Sequence, residues 1–257
     1  MINKKVLYIG EHTDLSKDIK KMLRKEMPSW LDESAPELII VAGGDGSMLH
    51  AIQRFAHLNV PFYGIGAGTL NFLMNPIEGD VLDYIKSINF DKLDVVETAR
   101  LKISVKRDGE LVYQKEATND IVIGNKVNQY HHMEVSSKNK RVSENFKGMG
   151  MIVSTPLGST AMSFNNDVPV IPSLSLPVLA ISSMISVRLS SFKKLVDLSD
   201  KLNIKLLTDQ ECFVLVDGSA GEFEIKKGDK IKISEGTPVK LAFEDYKAFE
   251  VKRANLF

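Results

Sequence analysis

The chain has 257 residues, of which 33 are Lys or Arg and 33 are Asp or Glu. This balance gives no net field to attract nucleic acid or an anionic membrane, so we expect neither as a partner. A single cysteine, Cys212, excludes an intrachain disulfide bond and a zinc site built from several cysteines.

Short apolar runs alternate with helical patterns in the first part of the chain, up to residue 98. The predicted elements are strand Val6–Ile9, helix Asp14–Met27, strand Leu38–Val41, helix Gly46–His57 and strand Pro61–Ile65. This alternation predicts a small parallel sheet covered by helices, in which ligands gather beyond the carboxyl ends of the strands. Two glycine-rich turns, at residues 43–46 and 64–68, are expected at that edge.

No segment of the sequence predicts secretion or membrane insertion. The first apolar run, Val6–Ile9, is shorter than the apolar region of a signal peptide. No run approaches the roughly 20 apolar residues of a membrane span. We therefore expect a cytoplasmic location.

From residue 99 the pattern changes to short strands separated by turn residues. Leu101–Arg107 and Glu110–Lys115 flank Asp108-Gly109, which predicts a hairpin. Further strands are predicted at Ile121–Ile123, His132–Ser136, Met151–Val153, Ile204–Leu207, Cys212–Val216, Glu222–Ile225, Lys230–Ile233 and Val239–Phe243. These strands predict an antiparallel, sandwich-like body. We expect an α/β domain at 1–98 and a β-rich domain at 99–244, with the tail 245–257 packed back on the first.

The motif Gly43-Gly44-Asp45-Gly46-Ser47 lies where a predicted strand gives way to a helix. Glycines let the backbone approach a ligand closely, and the N–H groups and dipole at a helix start suit phosphate. A carboxylate in such a turn is unfavourable unless it accepts a proton from a hydroxyl or holds Mg²⁺. The alternative is a plain turn in which Asp45 caps the helix.

Three later motifs offer further polar groups. Asn119-Asp120, before a strand, supplies an amide and a carboxylate suited to ribose hydroxyls. In the stretch 154–161, Gly158 allows close approach, while Ser159 and Thr160 could hold a phosphate or an adenine edge. Asp217 stands in an Asp-Gly turn after a strand. The structural alternatives are a turn pair, a helix cap at Ser159 and a plain hairpin turn.

The four motifs together resemble bacterial NAD kinases, the ATP/polyphosphate-NAD kinase family, in order and approximate spacing. The resemblance covers about residues 4–245. It implies an N-terminal α/β domain with a parallel sheet and a C-terminal β-sandwich-like domain, with NAD between them in a homodimer or homotetramer. It also implies phosphoryl transfer from ATP or polyphosphate, with Mg²⁺, to the 2′-hydroxyl of the adenosine ribose of NAD, which yields NADP.

Site residues follow from the resemblance by position. Asp45 is implied to be the catalytic carboxylate, and the turn around it is implied to face the donor phosphates through Gly43, Gly44, Gly46 and Ser47. The positions implied to contact NAD are Asp45, Gly46, Phe72, Asn119, Asp120, Lys147, Met149, Thr160, Ala161, Met162 and Asn165. Asp217 is implied to support the site, and no protein side chain is assigned as a metal ligand.

Three positions depart from the family pattern. Met149 replaces a usual aspartate, Met162 a usual tyrosine, and Asn165-Asn166 stands where a Gly-Gly pair normally follows. These changes predict a weaker hold on the nicotinamide half of the substrate. They keep open the alternative of a non-catalytic NAD(P)-binding sensor. A lipid kinase is a second alternative, because such kinases share the first motif.

Overall fold

The structure is a computed structural model that divides into two compact units. It describes residues 5–10, 13–26, 28–66, 71–77, 79–124, 129–139, 141–187 and 191–256. One unit comprises Met1–Thr98 and Val239–Phe257, and the other comprises Ala99–Pro238. Among the residues described, no helix is long and apolar enough to cross a membrane.

The elements alternate in the first unit and are almost entirely strands in the second. The helices are α1 (Asp14–Glu26), α2 (Asp45–Phe55), α3 (Val81–Ser87), α4 (Met162–Asn165) and α5 (Tyr246–Ala254). The strands are β1 (Val6–Ile9), β2 (Leu38–Gly43), β3 (Phe62–Gly66), β4 (Asp94–Thr98), β5 (Leu101–Arg107), β6 (Glu110–Ala117), β7 (Asp120–Gly124), β8 (His131–Ser137), β9 (Ser143–Ser154), β10 (Val178–Ser186), β11 (Lys193–Asp197), β12 (Leu202–Leu206), β13 (Cys212–Val216), β14 (Ser219–Ile225), β15 (Lys230–Glu235) and β16 (Val239–Phe243).

The first unit is built on a five-stranded sheet in the order β1-β2-β3-β16-β4. The first four strands are parallel to their neighbours, and β4 is antiparallel to β16. All six residues of β2 are buried, as expected for a parallel strand covered on both faces. The carboxyl ends of β2 and β3 lie side by side, since Gly43 pairs with Gly66.

The division between the units differs from the sequence prediction at one strand. Val239–Phe243 was expected in the β-rich domain that ends at residue 244, but it pairs with β3 and β4 in the first sheet. The first unit therefore includes this strand as well as the tail. Residue alternation identifies a strand without showing which sheet it joins, and this pairing is long-range.

The second unit is a mostly antiparallel sheet that forks at the long strand β9. The first half of β9 pairs with β8, and its second half pairs with β7 and β10. Apolar side chains from both branches share one core; examples are Ile103, Val135, Ile123, Val153 and Leu179. The predicted fold class, an α/β domain followed by an antiparallel β domain, is confirmed.

Some elements were not predicted or were predicted too short. Strand β9 was expected only at Met151–Val153, because glycines and polar residues precede it. Strand β10 was not predicted, since the buried polar pair Ser182 and Ser183 interrupts its apolar pattern. The helix expected at Asp14–Met27 ends at Glu26, and Met27 lies outside the described residues.

Candidate active site

The glycine-rich turn after β2 leads directly into α2. Gly43 has a φ of +154°, which side chains rarely adopt, and Gly44 precedes the helix without a side-chain cap. The N–H of Ser47 donates to the Gly44 carbonyl over 2.9 Å. The first N–H groups of a helix have no partner within it and carry the positive end of its dipole, so those of Asp45 and Gly46 suit an anion.

The carboxylate of Asp45 points across to the segment that follows β3. Phe72 donates its N–H to both carboxylate oxygens over 3.0 Å, and Leu73 donates its N–H over 2.9 Å. The alternative in which Asp45 caps α2 is therefore wrong, because the side chain is engaged elsewhere. Neighbouring parallel strands end at the same edge of a sheet, which is why the two segments meet.

The segment after β3 is held by backbone bonds to that strand. The N–H of Gly66 donates to the carbonyl of Asn75, and the N–H of Asn75 donates to the carbonyl of Gly64, each over 2.9 Å. These bonds bring the chain back alongside β3 and set where the N–H groups of Phe72 and Leu73 lie. Residues 67–70, which include the end of the second predicted glycine-rich turn at 64–68, lie outside the described residues.

Burial raises the pKa of Asp45, so the carboxyl is a stronger base than an exposed aspartate. The N–H groups of Phe72 and Leu73 oppose this shift, as do the charges of Lys252 and Arg253 on α5. Arg253 is 1% exposed, and burial lowers its pKa to about 10. A half-buried carboxylate with two backbone donors can orient a hydroxyl and accept its proton.

In the second unit, Asp217 ties the Asn119-Asp120 motif to the turn after β13. Its carboxylate accepts the N–H groups of Thr118 (2.9 Å), Asn119 (2.7 Å) and Asp120 (3.3 Å). Asp217 and Gly218 have φ values of +53° and +65°, so the predicted Asp-Gly hairpin turn is present. The Asp217 carboxylate in this turn therefore positions the backbone of the second motif.

The third motif packs against the same backbone. A Cβ at Gly158 would collide with the carbonyl of Asn119, so only glycine fits there. Thr155 donates its hydroxyl to the Thr118 carbonyl over 2.7 Å and accepts the N–H of Gly158 over 3.1 Å. The structure thereby joins the second, third and fourth motifs into one cluster.

Ser159 is neither a helix cap nor an open ligand group, contrary to both interpretations of the sequence. It is fully buried in a short 3-10 turn, Leu157–Thr160. Its hydroxyl donates to the Pro156 carbonyl over 2.7 Å and accepts the N–H of Ile171 over 2.9 Å. The hydroxyl is therefore used to hold the loop that follows.

Two polar groups of the cluster have unusual environments. Burial, followed by the charge of Asp217, raises the pKa of Asp120 to about 7, while the N–H of Met162 opposes the shift. The Oδ1 of Asn119 is buried and has no hydrogen-bond partner among the described residues. Buried polar atoms are usually satisfied, so this oxygen is suited to a donor group on a ligand.

The other predicted site residues lie on several elements and differ in how far they are exposed. Thr160 and Ala161 are half-buried at the end of the 3-10 turn, and Asn165 is exposed at the end of α4. Lys147 is exposed and Met149 half-buried further back on β9, whose last residue begins the third motif. The sequence had not indicated Leu73, Thr118, Thr155, Lys252 or Arg253, because their roles depend on backbone groups or long-range contacts.

Both units match models of one protein family. The ATP-NAD kinase N-terminal domain matches residues 7–89, and the ATP-NAD kinase C-terminal domain matches residues 95–242. The chain belongs to the ATP-NAD kinase family. The NAD kinase of Rickettsia africae is 30% identical to this chain over 221 residues, which is 85% of this chain and 84% of that protein.

Solved structures of NAD kinases share the fold. Yeast NADH kinase in complex with NADH has a TM-score of 0.82 at 17% identity, covering 100% of this chain and 88% of that one. An NAD kinase from Archaeoglobus fulgidus in complex with ATP has a TM-score of 0.72 at 18% identity, covering 96% of each chain. With family matches in both units, an NAD kinase is favoured over the sensor and the lipid kinase.

The protein should lose stability when the Asp217 carboxylate is replaced. We expect Asp217→Asn to lower the free energy of unfolding by about 1–3 kcal/mol, because three backbone N–H groups, two of them buried, lose their carboxylate acceptor. Asparagine tolerates the positive φ, so the turn itself is preserved. Urea unfolding at pH 5.5 measures the change while Asp120 is mostly protonated and repulsion between the two carboxyls is small.

Asp108→Asn is the matched control for this change. Asp108 also precedes a glycine in a hairpin turn, with a φ of +53°, and it is exposed. Its replacement should alter the free energy of unfolding by less than about 0.5 kcal/mol. Equal effects of the two variants would show that the Asp217 carboxylate does not hold the second motif.

Proposed function

We propose that this NAD kinase transfers the γ-phosphoryl group of ATP to the 2′-hydroxyl of the adenosine ribose of NAD, with Asp45 as the proton acceptor. The observation that carries this assignment is a half-buried carboxylate, with its pKa raised by burial, inside a glycine-rich turn at a helix start. The turn suits donor phosphates, and the carboxylate suits the acceptor hydroxyl.

The role of Asp45 follows from the weak nucleophilicity of a secondary hydroxyl. The N–H groups of Phe72 and Leu73 fix both carboxylate oxygens, and the remaining lone pairs can receive the hydroxyl proton. As the hydroxyl oxygen forms its bond to the γ-phosphorus, the bond from that phosphorus to the β,γ-bridging oxygen breaks and ADP leaves, while the hydroxyl proton passes to Asp45. General-base help of this kind is typically worth about 10²–10⁴-fold in rate.

The donor phosphates are assigned to the turn itself, through Gly43, Gly44, Gly46 and Ser47. Mg²⁺ usually keeps several waters and is bound through substrate phosphates with few protein ligands, and no side chain of this turn is assigned as its ligand. Among the described residues no cluster of three or more His, Cys, Asp or Glu side chains could hold a metal ion by itself. When bound, the ion would neutralise charge on the donor phosphates.

The contacts with the dinucleotide are assigned residue by residue. In the second unit, the Oδ1 of Asn119 has no hydrogen-bond partner within the described part of the chain. This oxygen and the buried carboxyl of Asp120 support binding of ribose hydroxyls. The remaining assigned contacts are Asp45, Gly46, Phe72, Lys147, Met149, Thr160, Ala161, Met162 and Asn165. Met162 is 42% exposed, so it offers an apolar surface where a tyrosine would stack.

A coupled assay tests the function. Purified protein is incubated with NAD, ATP and Mg²⁺, and NADP is detected with an NADP-specific dehydrogenase. We expect NADP to form only when NAD, donor and metal are all present. Parallel reactions replace ATP with polyphosphate, the other donor that the family resemblance implies, and NAD with NADH, the ligand of the yeast structure. NAD binding without turnover under every condition would favour the sensor instead.

Gly46→Ala tests whether donor phosphates contact the turn. Apart from its chain neighbours and the backbone of its own helix, a Cβ at Gly46 would meet no atom of the described residues within 4 Å, so the fold can accept alanine. We expect the free energy of unfolding to be unchanged or slightly higher, because alanine favours helices. The KM for ATP should rise about tenfold, which corresponds to about 1.4 kcal/mol of lost binding.

The control for Gly46→Ala is His50→Ala, an exposed change further along α2. It should leave the KM for ATP within about twofold of the parent. An unchanged KM for ATP in Gly46→Ala would argue against phosphate contact at this residue. The cytoplasmic location, the homo-oligomer and the use of polyphosphate stay predictions.

A further inference from the structure

One peptide group lies between a cation of α5 and the carboxylate of Asp45. The ammonium group of Lys252 donates a hydrogen bond to the carbonyl of Asn71 over 3.1 Å. The N–H of Phe72 donates to Asp45 over 3.0 Å. The Asn71 carbonyl and the Phe72 N–H belong to the same peptide group. Because a peptide group is planar and trans, holding its oxygen also fixes the direction of its N–H.

We propose that Lys252 is a positioning residue for Asp45, because its ammonium group holds the peptide group between Asn71 and Phe72 against the carboxylate. This inference rests on the proposed function, in which Asp45 accepts the hydroxyl proton. Lys252 itself does not touch the reacting atoms. It acts through a backbone group that donates to the catalytic carboxylate.

The bond from Lys252 to the Asn71 carbonyl affects both the strength and the direction of the hydrogen bond from the Phe72 N–H to Asp45. A cation at the carbonyl end polarises the peptide group, so the N–H at its other end becomes a stronger donor. The same segment supplies the N–H of Leu73, 2.9 Å from Asp45. If the peptide rotates, both oxygens of Asp45 lose their fixed direction toward the acceptor hydroxyl. Small errors in such alignment lower the reaction rate more than they lower the affinity for the substrate.

Lys252 and Arg253 are the cations on α5 that act on Asp45. Arg253 is 1% exposed, with its guanidinium carbon 5.6 Å from the centre of the Phe249 ring. Its replacement would leave a hole in the first unit and threaten the fold. Lys252 is exposed, so it can be changed without removing core packing. The test therefore uses Lys252.

The experiment compares Lys252→Met, Lys252→Arg and the control Lys247→Met, an exposed lysine on the same helix. We expect Lys252→Met to lower kcat about tenfold while the KM for NAD stays within about twofold. The acid limb of the kcat profile should move to higher pH, because removing a positive charge raises the pKa of Asp45. Lys252→Arg should recover most of kcat, and Lys247→Met should match the parent.

Hydrogen exchange at the amides of Phe72 and Leu73 gives a readout that does not depend on turnover. Both amides should exchange faster in Lys252→Met than in the parent or in Lys247→Met. Unchanged exchange, an unchanged pH profile or a loss confined to KM would overturn the proposal. A parent protein without NAD kinase activity would instead overturn the proposed function, while the exchange rates would still decide whether Lys252 holds this segment.

Discussion

Asp45→Asn is expected to abolish nearly all turnover while leaving the fold intact. We predict a fall in kcat of at least about 10²-fold, the lower end of what a general base contributes. Asparagine has nearly the same shape, and its Oδ1 can still accept an N–H from Phe72 or Leu73. Its amide cannot take the proton of the ribose hydroxyl. The coupled NADP assay measures kcat, and circular dichroism checks the fold.

The control for this change is Asp18→Asn on α1, whose exposed carboxylate pairs with the exposed Lys21 over 3.6 Å. Its kcat should equal that of the parent. NAD binding by calorimetry should survive in Asp45→Asn, which separates a lost base from a lost substrate site. NADP formation by Asp45→Asn near the parental rate would falsify the assignment of Asp45 as base.

The pH profile of the parent provides a second check on Asp45. Burial raises the pKa of this carboxyl, so its basic form is lost at a higher pH than that of an exposed aspartate. We expect kcat to fall on the acid side as Asp45 becomes protonated. The residual activity of Asp45→Asn should lack this acid limb. An acid limb at the same pH in the parent and in Asp45→Asn would show that another group titrates there.

The glycine-rich turn that holds Asp45 was predictable from sequence because its parts are local. Glycines next to an aspartate, between an apolar run and a helical pattern, indicate a ligand turn from a few residues alone. The partners of Asp45 were not visible in this way. Phe72 and Leu73 act through backbone N–H groups that any residue carries, and Lys252 lies near the other end of the chain. Only the return of the chain along β3 and the packing of α5 bring them together.

The second unit shows where residue patterns mislead. Ser159 has the residue type of a ligand or a cap, but its hydroxyl is used by Pro156 and Ile171. Asp217 has the local pattern of a hairpin turn, which is correct, yet its carboxylate holds residues distant in sequence. Val239–Phe243 is a strand as predicted, but its sheet is set by long-range pairing. In each case the local conformation follows from the sequence and the partner does not.

Asp120 should make stability depend on pH in the range between about 4 and about 7. Its pKa is raised from 3.8 to about 7 in the folded protein, first by burial and then by the charge of Asp217. In this range the folded state keeps a proton that the unfolded state releases. The stabilisation of the folded state by protonated Asp120 is therefore fully present below pH 4 and is lost as the pH rises through 7.

Asp120→Asn removes this dependence, because an amide does not titrate. The stability of the variant relative to the parent should rise by up to about 4 kcal/mol between pH 4 and pH 8, from a pKa difference of about 3 and ~1.4 kcal/mol per unit. Urea unfolding followed by circular dichroism at four pH values measures it. A constant difference across this range would mean that Asp120 ionises in the folded protein as readily as in the unfolded chain.

Asp229→Asn supplies a control in the same unit, because its effect on stability should change with pH in the opposite direction. Burial of Asp229 acts to raise its pKa, but hydrogen bonds from Arg107 (2.8 and 2.9 Å) and the N–H of Lys226 (2.8 Å) outweigh it, so the pKa is lowered. A lowered pKa contributes stability above the unfolded value of 3.8, and this contribution is lost as the pH falls. Asp229→Asn should therefore cost more stability at pH 7 than at pH 4, whereas Asp120→Asn gains stability as the pH rises. Opposite slopes from two buried aspartates of one unit would tie each effect to its own surroundings, because a change in overall charge would move both variants in the same direction.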